Sequence, residues 1–370
     1  MASLLKRLPG AFARHLVKQL PTSWLAPLMA AAQYRLNAVG TDFICVRRRP
    51  KKGDSPTHRL IDPLTARPEG QIAIILQGPI DTTDDFTAET IKYYRLICPE
   101  LTVIVSTWEN EPEDRLRRCR DLGAVVVTSK QPEIAGRVNV NLQITSTLAG
   151  IKTAAALGCR YIAKSRTDMR LYSIHTILRY PQLLESIPPN GSSRQNARLI
   201  VPSEVTCAFA PYMLSDFFMF GRTEDIIDYW DSPLDHCVKS RTEIQSSAAL
   251  SKTVDGMTEL APERYLVSNF ITRSGGEAPY SLSAWWQTLQ DRFIVIDVSS
   301  LELYWRKNQC DVDDWQSNHP FQSFANYAIS NTDWQTLYYR TNLDESPPED
   351  ILMLDATVHP PIRFPPRENG

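Results

Sequence analysis

Four polar segments follow apolar runs in the first half of the 370-residue chain: Gln77-Gly78-Pro79, Ser106-Thr107-Trp108-Glu109, Thr128-Ser129 and Ser165-Arg166-Thr167-Asp168. The last holds the strongest chemistry. A carboxylate just past a buried strand, as at Asp168, is placed to ligate a divalent cation, Mn or Mg, that bridges a diphosphate and neutralises charge on a leaving group. Arg166 and Arg170 flank it, and guanidinium groups suit bidentate phosphate contact with or without a metal. The competing structural assignment is an Asp that caps the next turn or pairs with one of those arginines.

Other strand ends supply donor-binding candidates. Gly78 removes the side-chain obstacle to a nucleotide approaching the backbone at Gln77-Gly78-Pro79, and an ordinary tight turn uses the same residues. Ser106 opens the second polar end, where Trp108 is suited to stack on a base and Glu109 to accept from ribose or base; a partly buried Trp beside a solvated Glu has the same pattern. Asp216, just before the apolar run Phe217-Phe218-Met219-Phe220, is a second carboxylate, suited to deprotonate an acceptor hydroxyl in an inverting sugar transfer. A turn Asp is the plainer alternative. Glu263 follows Pro262 at a helix start, where the helix dipole favours a carboxylate in any case. The six histidines form no metal-binding cluster, and neither a nucleophile elbow nor a P-loop is present.

Strand–helix alternation positions these residues. Ile72-Ala73-Ile74-Ile75-Leu76 is a continuous apolar run, as in a strand buried on both faces. A helix over Phe86–Ile97, a strand over Leu101–Val105, a short helix over Arg115–Leu122 stopped by Gly123, a strand over Ala124–Val127, a helix over Asn139–Leu157 and a strand over Tyr161–Lys164 follow. Repeated β–α units predict an α/β fold with a mostly parallel sheet that binds ligands beyond the carboxyl ends of its strands. Later segments are less regular: strands over Leu199–Pro202 and Phe217–Gly221, a helix over Thr223–Trp230 with Thr223 as N-cap, and a helix from Pro262 through Phe270. Nothing beyond surface cover is assigned after Asn308.

Composition is that of a soluble globular chain. Eleven Lys/Arg against two Asp give residues 1–60 a formal charge of +9, and the whole-chain −2 leaves −11 for the remainder. Leucines, Phe12 and Trp24 recur at helical spacing among Lys6, Arg7, Arg14 and Lys18, which describes either a basic amphipathic helix lying in a membrane interface or a helix packed on its own domain. The Arg47–Lys52 cluster reads as a linker; no aromatic residues interleave it, so nucleic acid is not expected as a partner. The seven widely spaced cysteines fit a reducing compartment. No apolar run approaches the length of a membrane span.

Several segments in order resemble the WavE lipopolysaccharide synthesis family: Gln77-Gly78-Pro79-Ile80, Phe86 to Tyr94, Val105 to Glu109, Asn139 to Gly150 with Asn141, Lys164 to Arg170, Ser215 to Gly221 and Ala261 to Leu266. They cover roughly residues 70 to 270, leaving 1–60 and 310–370 outside. The resemblance implies a GT-A-like, Rossmann-type fold with helices on both faces of the sheet, joining a nucleotide-sugar donor to a lipid-linked glycan of lipopolysaccharide core or a related surface polysaccharide. It also implies an Asn141 contact to the donor. Where many GT-A enzymes carry Asp-x-Asp, the first position here is Arg166. The expected organisation is a basic amphipathic arm and linker (1–68), a catalytic domain (69–310) with Asp216, Asp168 and Glu263 as its carboxylates, and a C-terminal extension (311–370). The expected location is cytoplasmic, peripheral on the inner face of the cytoplasmic membrane through residues 1–52. The alternatives are a nucleotidyl- or phosphoglycan transferase on the same sheet and a non-catalytic scaffold of polysaccharide assembly.

Overall fold

The computed structural model describes residues 51–53, 71–190, 194–237, 258–307, 310–311 and 328–339, together with Pro21, Trp24, Leu28 and Ala31. The chain divides into two units, Met1–Pro50 and Lys51–Gly370. In the first, Trp24, Leu28 and Ala31 are helical and exposed. The rest of the expected amphipathic arm, the linker 54–70 and most of the C-terminal segment lie outside the described residues. Among those described, no helix is long and apolar enough to cross a membrane.

The second unit is an α/β fold. Its first half runs β1 (Ile72–Gln77), α1 (Phe86–Ile97), β2 (Thr102–Trp108), α2 (Glu113–Asp121), β3 (Val125–Ser129), α3 (Val140–Ala156) and β4 (Tyr161–Arg166). Then come β5 (Met169–Leu171), α4 (Tyr180–Ser186), β6 (Leu199–Pro202), β7 (Met219–Arg222), α5 (Thr223–Trp230), α6 (Pro262–Arg273), α7 (Leu282–Arg292) and β8 (Phe293–Ile296). Two short strands, β9 (Leu303–Trp305) and β10 (Cys310–Asp311), precede α8 (Asn331–Tyr339). Seven strands form one sheet in the order β3-β2-β1-β4-β7-β6-β8, and β10-β9-β5 form a second. All pairings among β3, β2, β1 and β4 are parallel; β7 enters antiparallel on both sides, and β8 is parallel to β6.

Register assigns the faces. Ile75 pairs with Lys164 and Gln77 with both Arg166 and Ser106, so these side chains share one face. α3 covers it at Gly150, which lies directly over Ile75 and Ser106, and α5 covers it at Ile226 beside Gly221. On the opposite face Tyr161 stacks on Phe220 at 5.9 Å, and Tyr180 of α4 meets Phe220 edge-on at 5.2 Å. Helices therefore cover both faces, as expected.

Several boundaries differ from the sequence expectations. β2, β3 and β4 continue two or three residues past their apolar runs, because the parallel ladder extends through Thr107–Thr128, Trp108–Ser129 and Gln77–Arg166. Polar residues expected beyond the strands thus lie within them. Thr223 is not the N-cap of α5: Arg222 occupies that position, and the Thr223 hydroxyl donates to the Cys159 carbonyl at 2.6 Å, fastening the helix start to the residues before β4. α6 continues to Arg273. The small sheet, α7, β8 and α8 carry no clear mark in the sequence. Part of the region expected as surface cover completes the core: Trp334 of α8 is buried and donates to the Leu289 carbonyl of α7 at 3.1 Å.

Gly150→Ala tests the α3–sheet spacing. The added Cβ would sit 2.6 Å from Ile75 Cγ2 and 3.0 Å from Ser106 Cβ. An overpacking cost of about 1–3 kcal/mol exceeds the helix-propensity gain of about 1 kcal/mol. The urea midpoint should fall; an unchanged or raised midpoint contradicts this spacing.

Candidate active site at the carboxyl end of the central strand

β4 leaves the main sheet at Arg166 and, after two intervening residues, pairing resumes as β5 against β9. Thr167 turns this corner: its N–H donates to the Gln77 carbonyl at 3.1 Å, its hydroxyl to the Pro79 carbonyl at 2.5 Å, and its carbonyl accepts from the Thr87 hydroxyl at 3.0 Å. Gly78 adopts φ +119°, and any Cβ there would come within 3.2 Å of the Thr167 hydroxyl. Gln77, Gly78 and Pro79 thus build the corner, with Pro79 exposed at its edge.

Outside the corner, Arg166 grips Asp168 in a fork, Nε to Oδ1 at 2.8 Å and Nη2 to Oδ2 at 2.9 Å, while the Trp305 indole donates to Oδ2 at 3.1 Å. The guanidinium lies 5.4 Å from the centroid of that same indole. Burial alone would raise the Asp168 carboxyl; the Arg166 fork, the Trp305 donor and Lys307 outweigh it and hold the group below the usual carboxylate range. Both carboxylate oxygens already accept hydrogen bonds. Among the described residues no three His, Cys, Asp or Glu stand together as a metal-ligand set. As arranged, Asp168 does not fit a resident divalent ion.

Inside the corner lies a second charged group. Lys164, 1% exposed, donates from Nζ to the backbone carbonyl of Asp216 and stands 4.8 Å from the Trp230 ring centroid. Asp216 is itself only 4% exposed. Burial pulls the Lys164 amine down to about 8, against the opposing pull of Asp216. Glu263, at the first turn of α6, is pushed up to about 8 by burial and by Asp216, with Lys164 acting the other way. Burial, Asp216 and Glu263 together raise the Tyr229 hydroxyl well above its ordinary value. Gln77 Oε1, Ser215 Oγ, Tyr229 OH and Trp230 Nε1 are buried without a hydrogen-bond partner among the described residues.

Other candidates sit in structural bonds. Arg170 is fully buried under α1, donating to the Thr90 hydroxyl and the Phe86 and Lys51 carbonyls, with its guanidinium 4.5 Å from the Phe86 ring. The diphosphate contact expected of it has no open face. Ser106 donates to the Ser146 carbonyl at 2.5 Å, and Trp108 is buried rather than open to a base. Glu109 is exposed, its amide bound to the Ser129 carbonyl. Asn141 clamps the chain after α5 to α3, donating to the Asp235 carbonyl at 2.8 Å and accepting from the Asp235 amide at 2.7 Å. Asp235 in turn holds Arg137 through Nε at 3.0 Å and Nη2 at 3.2 Å.

Residues 72–357 match the sequence model of a family described as WavE lipopolysaccharide synthesis. The chain belongs to the WavE lipopolysaccharide synthesis family. Membership assigns it a role in lipopolysaccharide synthesis, and the match carries to residue 357, past the roughly 70–270 covered by the resembling segments. No curated protein matches. One solved structure with some likeness, the crystal structure of a mannose-1-phosphate geranyltransferase from Thermus thermophilus, shares 9% identity at a TM-score of 0.25, covering 44% of this chain and 63% of that one. The chain therefore spans less than two thirds of that neighbour's length.

Of the sequence candidates, Gln77, Arg166, Asp168, Asp216 and Glu263 gather around one point of this WavE sheet, and Lys164 is the residue the sequence reading passed over. Its signal was available: a lysine inside the apolar run Tyr161-Ile162-Ala163-Lys164 has nowhere to place its charge except the interior. Trp305 and the Tyr229–Trp230 pair come from distant segments with no periodic mark.

Glu263 keeps its proton when folded over a range in which the unfolded chain has lost it. Its contribution therefore favours folding most below its ordinary value of 4.5 and declines as pH rises toward about 8. Glu263→Gln should remove that decline, so that its thermal midpoint gains on the parent's across this window. A constant difference between the two midpoints contradicts the assignment.

Proposed function

We propose that this chain is a glycosyltransferase moving a sugar from a nucleoside-diphosphate donor to lipopolysaccharide core or a related surface polysaccharide, on a GT-A-like catalytic domain. The observation that carries the reading is the placement of the Arg166–Asp168 pair at the carboxyl end of the central strand, beside buried Asp216 and half-buried Glu263. Ligands of open α/β sheets bind at that edge. Arg166 is the group to receive the diphosphate, since a guanidinium matches phosphate oxygens in pairs. Asp216 is the base for the acceptor hydroxyl. Under this reading the basic segment 1–52 holds the enzyme to the anionic inner face of the cytoplasmic membrane, near a lipid-linked acceptor.

A second reading has one observation in its favour. The Asp168 oxygens are already occupied by Arg166 and Trp305, as they would be in a non-catalytic partner that scaffolds polysaccharide assembly.

Turnover of uridine, guanosine and cytidine diphosphate sugars, with and without manganese, separates the readings. Transfer or hydrolysis of one donor, releasing nucleoside diphosphate, is expected; pyrophosphate as product indicates nucleotidyl transfer instead. Asp168→Asn, which loosens the fork orienting Arg166, should cut donor turnover by about a hundredfold while the protein stays folded by circular dichroism. Absence of nucleotide binding and turnover across the panel contradicts the enzyme reading and favours the scaffold.

A further inference from the structure

Residues 51–53 enter the second unit as a docked strap. Gly53 donates its N–H to Glu89 Oε2 of α1 at 2.6 Å, and Glu89 is itself buried. Arg170, reaching under α1 from β5, donates to the Lys51 carbonyl at 3.1 Å. Lys51 Nζ meets Asp84 Oδ2, just before α1, at 2.9 Å, and Lys52 Nζ lies 3.5 Å from Glu89 Oε1. The strap lies so close to the helix that a Cβ at Gly53 would sit 2.6 Å from the Glu89 carbonyl oxygen and 2.8 Å from the Tyr93 amide nitrogen. Gly53 adopts no left-handed φ, so contact alone requires the glycine. Two buried charges, Glu89 and Arg170, are thus committed to holding a backbone segment.

α1 starts beside the Thr167 corner, where the Thr87 hydroxyl donates to the Thr167 carbonyl and Arg170 to the Phe86 carbonyl. Asp84, Lys51 and Lys52 therefore stand at the carboxyl edge of the sheet, where β4 ends. Both lysines are exposed, and they close the run Arg47-Arg48-Arg49-Pro50-Lys51-Lys52, five cations in six residues. In the first unit, Trp24, Leu28 and Ala31, helical and exposed, fall at i, i+4 and i+7, the spacing of one helix face. A soluble polyanion gives that apolar stripe no cover. An anionic bilayer accepts both features, with apolar side chains below the headgroups and cations among them.

We infer that the strap orients the protein on an anionic bilayer: the carboxyl edge of the sheet, with the Arg166–Asp168 fork, is the face turned to the phospholipid headgroups, and the Gly53–Glu89 and Lys51–Arg170 bonds are the positioning contacts. The inference rests on the membrane attachment of residues 1–52 in the proposed function and adds which face meets the lipid. An acceptor whose lipid stays in the bilayer then reaches the site without leaving the membrane.

The test places the photo-crosslinker benzoylphenylalanine in the full chain at exposed Asn110, on the carboxyl edge after β2, or at exposed Leu157, on the opposite edge before β4. Each protein is bound to vesicles of phosphatidylglycerol and phosphatidylethanolamine and irradiated. Lipid adducts at position 110 should exceed those at 157 by about tenfold, because lipid is concentrated only at the docked face. Gly53→Ala and Glu89→Ala, which release the strap, should bind the vesicles within about threefold of the parent, the polybasic run being intact, while adducts at 110 and 157 become equal. Adducts at 157 that match or exceed those at 110 in the parent overturn the inference. A preference that survives both variants, with only their thermal midpoints lowered, means a merely structural strap and also overturns it. Binding of the parent to duplex DNA but not to the vesicles assigns the basic run to nucleic acid and overturns it as well. Donor turnover without vesicles, unchanged in Gly53→Ala and Glu89→Ala, decides the glycosyl-transfer reading separately.

Discussion

The Thr167 corner sets the geometry of the whole site. A strand in the middle of a parallel sheet must end somewhere, and its last carbonyls and amides then need partners other than a continuing ladder. Here the partners come from the neighbouring strand end: the Thr167 amide and hydroxyl bond to the Gln77 and Pro79 carbonyls, and Thr87 of α1 closes the third direction. The turn is tight enough that Gly78 leaves no room for a Cβ without strain. Because the corner is fixed within two residues, four charged side chains of one short segment take three different environments. Lys164 points into the α3/α5 face, Arg166 and Asp168 meet at the edge, and Arg170 passes beneath α1.

That division sorts the electrostatics. At the edge, Arg166 and Asp168 satisfy each other in a charge-assisted fork and stay ionised. In the interior, a single lysine is set against two carboxylates, and burial drives both the amine and Glu263 toward their neutral forms. Groups with displaced proton affinities beside a ligand-binding edge mark a functional site more strongly than an isolated strand-end carboxylate does.

Much of this was legible in the residues themselves. Continuous apolar runs such as Ile72–Leu76, alternating with helical spacing from Phe86 to Ile97, announce a parallel sheet, and both elements form as read. Strand ends were less legible, because Ser106, Thr107 and Trp108 are held in β2 by the ladder from β1 and β3 rather than by their own hydrophobicity. The three-stranded sheet and α8 were invisible for a similar reason: strands of two or three residues carry no period, and Trp334 is buried because α8 packs against α7 and β8. At the site, residue type pointed to Asp168 and Asp216. It misplaced Arg170, whose guanidinium satisfies backbone carbonyls and stacks on Phe86, and it could not see that Lys164 would lie against Trp230 from α5 and the Asp216 carbonyl.

Under the proposed function, the carboxyl end of β4 receives a nucleoside diphosphate. A crystal structure of the protein with uridine, guanosine or cytidine diphosphate tests it most directly. The account predicts diphosphate density against the Arg166 guanidinium, within hydrogen-bonding distance and beside Asp168. Nucleotide density at any other place on the sheet, with the Arg166–Asp168 fork undisturbed, would contradict it.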